Sequence, residues 1–151
     1  MHHTDSANAA EIREATRSDR MAVERLLLAN ALPLAGVPAT LHGFFVAQVS
    51  GEIVGAIGLE RWGNFGLLRS AAVDARWRGK AIGRQLVERI IDDAAAHRLH
   101  ALYLLTTTAE RYFPAFGFAE VSRDAVPAEI RSSVEFRGAC PETAIAMVRP
   151  V

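Results

Sequence analysis

The stretch AVDARWRGKAIGRQL, residues 72–86, puts three cations, Arg76, Arg78 and Lys80, in one short loop with Gly79 between two of them. Apolar residues at helical spacing follow at once, so the loop leads into an amphipathic helix. Like charges repel, and a bound anion would relieve that repulsion. A helix N-terminus adds N–H groups without intrahelical partners and the positive end of the macrodipole, where phosphate binds readily. Gly79 allows a close backbone approach, and Arg and Lys side chains offer charge-assisted hydrogen bonds. The alternative is a solvated strand-to-helix connection, a common place for charge. Neither G-x-G-x-x-G nor G-x-x-x-x-G-K followed by Ser or Thr is present. The residues by themselves therefore point no further than a phosphate-bearing ligand.

Other chemistry-bearing residues are isolated. Arg69 is a cation inside an otherwise apolar segment, LLRSAAV (67–73), with polar Ser70 beside it. It can bind a substrate carboxylate or lie on a solvated strand face, which alternation allows; the polar neighbour favours binding. His97 and His100 straddle a helix end and a strand start, where a cationic His97 suits the negative helix terminus without any metal. Cys140 is the lone cysteine, so there is no disulfide framework and no cysteine metal cage. It reads as a small buried hydrophobe, and no metal site is expected.

These residues need elements to hold them. The chain has 151 residues, half of them hydrophobic and 23% charged, which suits a single domain with a substantial core. Residues 1–10 read as a loose polar tail and 11–151 as the domain. Seventeen basic residues balance seventeen acidic ones, which argues against general nucleic-acid binding. No apolar run is long enough to span a membrane, no leader is evident, and a reducing cytoplasm fits best. Changing hydrophobic period predicts a strand at 11–16, a helix opening at Ser18–Asp19 and stopping before Pro33, and a hairpin of 44–49 with 53–60. RWGNFG reads as a turn into a strand at 67–73, followed by a helix over about 82–97 and a strand at 101–106. Thr107 with Glu110 resembles a capping box for a helix at 108–115. A strand at FAEV, a short helix at 125–133 and a strand at 143–149 complete the order. That is an α+β fold with a mixed, mainly antiparallel sheet of six to seven strands, flanked by helices on both faces.

LLRSAAVDARWRGKAIGRQLVERI resembles the acetyl-coenzyme A signature of the GCN5-related N-acetyltransferase (GNAT) superfamily: a strand, then Gln or Arg, two residues, Gly, one residue, Gly or Ala, then a helix. YFPAFGFAEV (112–121) is similar to that family's closing aromatic-x-x-x-Gly-Phe motif before a strand. GLERWG, LLRS, LLTTTAE and VEFRGACPETAIAM further resemble the arsenic-resistance N-acetyltransferase subgroup. The resemblance implies acetyl-coenzyme A as co-substrate and direct acetyl transfer from thioester to the amine of a small molecule, with arsenical detoxification as one setting. It allows a homodimer, and it implies neither a nucleic-acid nor a membrane partner. A non-catalytic acyl-coenzyme A sensing domain and a protein N-acetyltransferase remain as alternatives.

Carried over, Arg78 takes the Gln/Arg position and Gly83 the final Gly/Ala, while Ala81 replaces the middle glycine. The backbone of Gly79, Lys80, Ala81, Ile82, Gly83 and Arg84 would cradle the pyrophosphate, provided Ala81 avoids positive φ. The strand at 67–73 would splay from that at 101–106, leaving Ala71 and Val73 to bond the pantetheine arm. The transfer needs a base, an oxyanion donor and an acid. Glu60, at the end of IVGAIGLE, is the candidate base, with surface pairing to Arg61 as its alternative. A backbone N–H near Ala71 would meet the oxyanion, and Arg69 and Ser70 would contact substrate. Phe113 stands where the family often has tyrosine, so Tyr112 becomes the candidate acid, with ordinary packing as the alternative.

Overall fold

The computed structural model describes residues 9–151; most of the expected N-terminal tail lies outside them. Seven strands form one sheet in the order β1-β2-β3-β4-β5-β7-β6. They are β1 (Glu11–Glu14), β2 (Phe44–Val49), β3 (Glu52–Trp62), β4 (Phe65–Val73), β5 (Ala101–Thr106), β6 (Ala119–Val121) and β7 (Ile145–Pro150). The α-helices are α1 (Arg20–Ala29), α2 (Ile82–Ala96) and α3 (Ala128–Arg131). β1 with β2, β2 with β3, β5 with β7 and β6 with β7 pair antiparallel, whereas β4 and β5 run parallel. The α+β class and the seven-stranded, mainly antiparallel sheet match the expectation. Two compact units divide the chain: one runs up to Gly58 and resumes over Ser70–Arg89, and the other comprises Leu59–Arg69 and Ile90–Val151.

In the first unit, Val23, Leu26 and Leu27 of α1 are buried with Leu41, Phe44, Val46, Ala56 and Ala72. A Cβ at Gly55 would stand 3.0 Å from Leu86 and 3.1 Å from Ile82, both in α2, and 3.3 Å from Ala47. Consecutive strand residues point to opposite faces. Ala56 and Gly55 therefore set α1 and α2 on opposite faces of β2 and β3. Thr16 and Asp19 form a capping box on the short 3-10 turn Arg17–Asp19, one turn before α1 begins. Ser50 (φ 50°) and Gly51 (φ 83°) link β2 to β3, the pair of positive angles that a tight twisted hairpin requires.

In the second unit, Leu67, Val126, Ile130 and Ala146 form the buried centre beneath Trp62, Phe65, Tyr103, Leu105, Val121 and Phe136. β3 extends to Trp62 and β4 begins at Phe65, so the connection is only Gly63-Asn64 rather than the six residues expected. No helix forms over 108–115. Thr106, not Thr107, accepts the Ala109 N–H (2.9 Å), and the chain enters a 3-10 turn, Phe113–Phe116, which ends on Gly117 at φ 90°. Pro114 supplies no N–H for a longer helix, and the left-handed glycine ends it.

Candidate active site

The pairing of β4 with β5 covers Phe65↔Ala101, Gly66↔Leu102 and Leu67↔Tyr103 and stops there. β5 continues to Thr106, held by β7, and β4 continues to Val73. Ser70 then lies at φ 58° in mid-strand, where an L-residue is strained. Alternation is lost there: Gly66 through Ser70 are all buried, Ala71 is exposed, and Ala72 is buried again. Ala71 is thus the exposed residue in the middle of this strand, with Val73 half-buried at its end.

The cationic loop is less crowded than its composition suggests. Arg76 is bound by Asp74 (3.1 Å) and Glu52, and its guanidinium holds the Asp74 carboxyl below its ordinary range. Arg78 donates to the Asn30 side chain at the end of α1 (2.6 Å), a partner that nothing in the sequence pattern indicated. Lys80 lies 6.0 Å over the Trp77 ring. Gly79 has φ 79° with open space where a side chain would stand. The first hydrogen bond of the α2 ladder runs from Gln85 N–H to Ala81 C=O, so the amides of Ile82, Gly83 and Arg84 precede the ladder. Amides ahead of a 15-residue helix, an open glycine and exposed Lys80 and Arg84 fit a coenzyme A pyrophosphate. The condition set on Ala81 fails, however: its φ is 66°. The left-handed geometry that glycine would adopt freely is kept with alanine, at a cost in strain.

Glu60 is held from two sides. Trp62 Nε1 donates to Oε1 (2.9 Å) and Arg69 Nη1 to Oε2 (2.7 Å). Its partner is Arg69, not the neighbouring Arg61. Arg69 is fully buried in its side chain, and its Nε also lies 3.6 Å from Glu135 Oε2. The solvated-face alternative for Arg69 is therefore ruled out; a ligand carboxylate would have to displace a carboxylate already present.

Glu135 opens a π-helical turn, Glu135–Ala139, in which Gly138 takes φ 127°. The Cys140 N–H returns to the Glu135 carbonyl (3.2 Å). Burial pushes the Glu135 carboxyl up to about 7; Arg69 and a hydrogen bond from Cys140 oppose that rise, and Glu60 adds to it. Burial, and then the Glu135 charge, push the Cys140 thiol up to about 11. Arg123 ties the segment down by donating to the carbonyls of Pro141 (3.0 Å) and Ala144 (2.9 Å). Sequence reasoning missed Glu135 because one acidic residue in an irregular stretch has no periodic signature.

Tyr112 is 44% exposed, edge-on to Phe113 (5.3 Å) and Phe116 (5.2 Å). Phe113 is buried against Phe118 (5.6 Å). Among the described residues no cluster of His, Cys, Asp and Glu could hold a metal ion, and no helix is long and apolar enough to cross a membrane.

A model of the acetyltransferase (GNAT) family matches residues 10–120, and the chain belongs to that family. It is 31% identical over 129 residues to an amino-acid acetyltransferase of Mycobacterium tuberculosis, covering 79% of this chain and 74% of that protein. A Mycobacterium tuberculosis structure in complex with CoA and NLQ superposes with a TM-score of 0.79 at 25% identity, over 93% of this chain and 99% of that one. An N-acetylglutamate synthase from Neisseria gonorrhoeae, complexed with coenzyme A and N-acetyl-glutamate, shares the fold (TM-score 0.80, 22% identity) over 93% of this chain; the match spans only 35% of that enzyme. The protein is an acetyltransferase that uses acetyl-coenzyme A as its co-substrate. The arsenic-resistance subgroup does not feature among these relatives.

Proposed function

We propose that this chain acetylates the amine of an amino acid or a close small-molecule analogue, with Glu60 as the base. The observation that carries this reading is the Glu60 carboxylate, two residues before the end of β3, oriented by Trp62 and Arg69. The name of the Mycobacterium tuberculosis relative supports the acceptor class. Acetyl-coenzyme A, when bound, supplies an activated thioester. Arg78, Gly79, Lys80, Ala81, Ile82, Gly83 and Arg84 hold its pyrophosphate, and the backbone of Ala71 and Val73 holds the arm. Glu60 takes a proton from the acceptor ammonium, directly or through water. Arg69 fixes the Glu60 carboxylate, with Ser70 beside it as the substrate-contacting residue. Tyr112 donates a proton at the close of the reaction. The lone Cys140 suits a reducing compartment.

The test is coenzyme A release with a panel of L-amino acids, an arsenic-containing amino-acid analogue and a lysine peptide. The expected result is turnover with one or more amino acids, reduced roughly 100-fold or more in Glu60→Gln while calorimetry still shows acetyl-coenzyme A binding. Peptide acetylation alone would replace this reading with a protein acetyltransferase. Selective turnover of the arsenical would place the chain with the arsenic-resistance subgroup. Cofactor binding without turnover of any acceptor would make it a sensing domain.

A further inference from the structure

Within the second unit, one buried guanidinium serves two carboxylates. The Arg69 side chain is 0% exposed, that of Glu135 5% and that of Glu60 20%. With both acids ionised, the triad carries one net negative charge in a site with little water to screen it. A buried charge without compensation is costly, so such a cluster resists holding both carboxylates ionised at once. Glu60 is the more solvent-reaching of the two and already accepts two hydrogen bonds. Glu135 is the deeper one, with the looser hold on Arg69. The remaining ionisable groups facing Glu135 are the Cys140 thiol, which hydrogen-bonds it, and Arg123, which acts on that thiol.

We propose that Glu135 is a positioning residue for the transfer reaction: its ionisation decides how much of the Arg69 charge is committed to Glu60. With Glu135 neutral, the guanidinium charge is no longer divided between the two acids and neutralises Glu60 most fully. With Glu135 ionised, Arg69 is shared and held from both sides, its plane is fixed, and Glu60 is left freer to accept the ammonium proton. Glu135 itself touches neither acceptor nor thioester. Its proton leaves to solvent, and no redox or covalent step is involved. Burial pushes the Glu135 carboxyl up to about 7, so its ionisation changes within the range a pH profile can scan. This inference rests on the reading of Glu60 as base.

Two readouts test it. The first is the pH profile of kcat/KM, with the fastest acceptor of the amino-acid panel, for wild type, Glu135→Gln and Glu135→Asp. Wild type should gain activity through a limb near pH 7; Glu135→Gln should lose that limb and run roughly tenfold slower at pH 8. Glu135→Asp should keep the limb at a displaced pH. The second needs no acceptor: carbon-13 carboxyl shifts of labelled glutamate, assigned by the Glu60→Gln and Glu135→Gln variants. The Glu60 resonance should show a step at the pH where Glu135 titrates, and the step should vanish in Glu135→Gln. An unaltered limb in Glu135→Gln, or no step in the Glu60 resonance, overturns the proposal. If Glu135→Gln does not fold, an unmoved limb in Glu135→Asp does the same. Undiminished turnover in Glu60→Gln would instead remove the base assignment, whatever the resonances show.

Discussion

Replacing Ala81 with glycine should stabilise the protein, although it removes a methyl group. Ala81 lies at φ 66° immediately before α2. An L-residue held in that left-handed well costs roughly 1–2 kcal/mol. Glycine removes this strain but loses more conformational entropy on folding, a penalty of roughly 0.5–1 kcal/mol against alanine. Ala81 is exposed, so no packing is forfeited. The difference is a net gain of about 0.5–1 kcal/mol, or about 1–4 °C in Tm for a chain of this size. Gly79 supplies the reverse experiment: it has φ 79°, and a Cβ there would meet nothing within 4 Å. Gly79→Ala should therefore destabilise by a similar amount through backbone strain alone. Urea unfolding with unchanged m-values gives both numbers. Because the strain at Ala81 exists before ligand binds, acetyl-coenzyme A affinity in Ala81→Gly should change by less than about threefold, or about 0.65 kcal/mol. A loss of stability in Ala81→Gly, or a gain in Gly79→Ala, would refute the strain argument. A large rise in affinity would show instead that alanine holds the amides away from the pyrophosphate.

The Arg13–Asp19 pair and its hydrogen bonds hold the Asp19 carboxyl at about 2, below its ordinary 3.8. That depression contributes about 2 kcal/mol at neutral pH. It is fully present above about pH 4 and lost as pH falls through about 2, so Asp19→Asn should narrow its deficit to wild type over that window in acid unfolding. Glu135 has the opposite sign. Its carboxyl is raised from 4.5 to about 7, so its share of stability is full below about pH 4.5 and is lost as pH rises through 7. Glu135→Gln should flatten that part of the stability–pH curve by up to about 3 kcal/mol. A Cβ at Gly66 would stand 2.8 Å from both Leu102 and Leu59, so Gly66→Ala should cost roughly 1–3 kcal/mol in urea unfolding. Phe113→Ala should cost roughly 3–5 kcal/mol, because the ring is buried and edge-on to Phe118; a smaller loss would indicate a surface role.

Most of the sheet was legible because strands and turns obey local rules. Alternation marked β1, apolar runs around the turn at Ser50-Gly51 marked β2 and β3, a short apolar run marked β5, and the period switch at Ile82 marked α2. Gly63-Asn64 carried a two-residue hairpin signal that a broader turn assignment passed over. Thr107 and Glu110 satisfied a capping-box pattern, yet Thr106 caps the turn and Pro114 keeps it short; both residues were in view, but the pattern said nothing of register. The cofactor loop could be located from composition, whereas the Asn30 contact to Arg78 joins residues 48 positions apart and leaves no local trace. Glu135 reaches Arg69 across 66 positions from a π turn, an element without a sequence period.

The alternation rule failed at one place, and the failure is informative. It allowed Arg69 a solvated face because Leu68 and Ser70 flank it on opposite-pointing positions. The positive φ at Ser70 breaks the pleat, and Arg69 and Ser70 are buried together. Among the described residues, six non-glycine residues have positive φ: Ala31, Leu41, Ser50, Ser70, Ala81 and Arg98. Ala31 and Arg98 follow helix ends, Ser50 turns a hairpin, and Leu41 lies in an irregular connection, where such angles are expected. Ser70 and Ala81 are different. One interrupts a strand, and the other sits where the family pattern asks for glycine. Neither angle serves chain reversal, so the strain at both positions requires another reason to persist. Under the proposed cofactor role, presentation of backbone amides would supply one, along β4 at Ala71 and ahead of α2 at Ile82. Ser70 is buried, so Ser70→Gly relieves the same backbone strain but forfeits side-chain interactions, and it should stabilise less than Ala81→Gly. Substitution by valine at either position, which β-branching makes costlier at positive φ, should lower acetyl-coenzyme A affinity before it lowers α2 helicity.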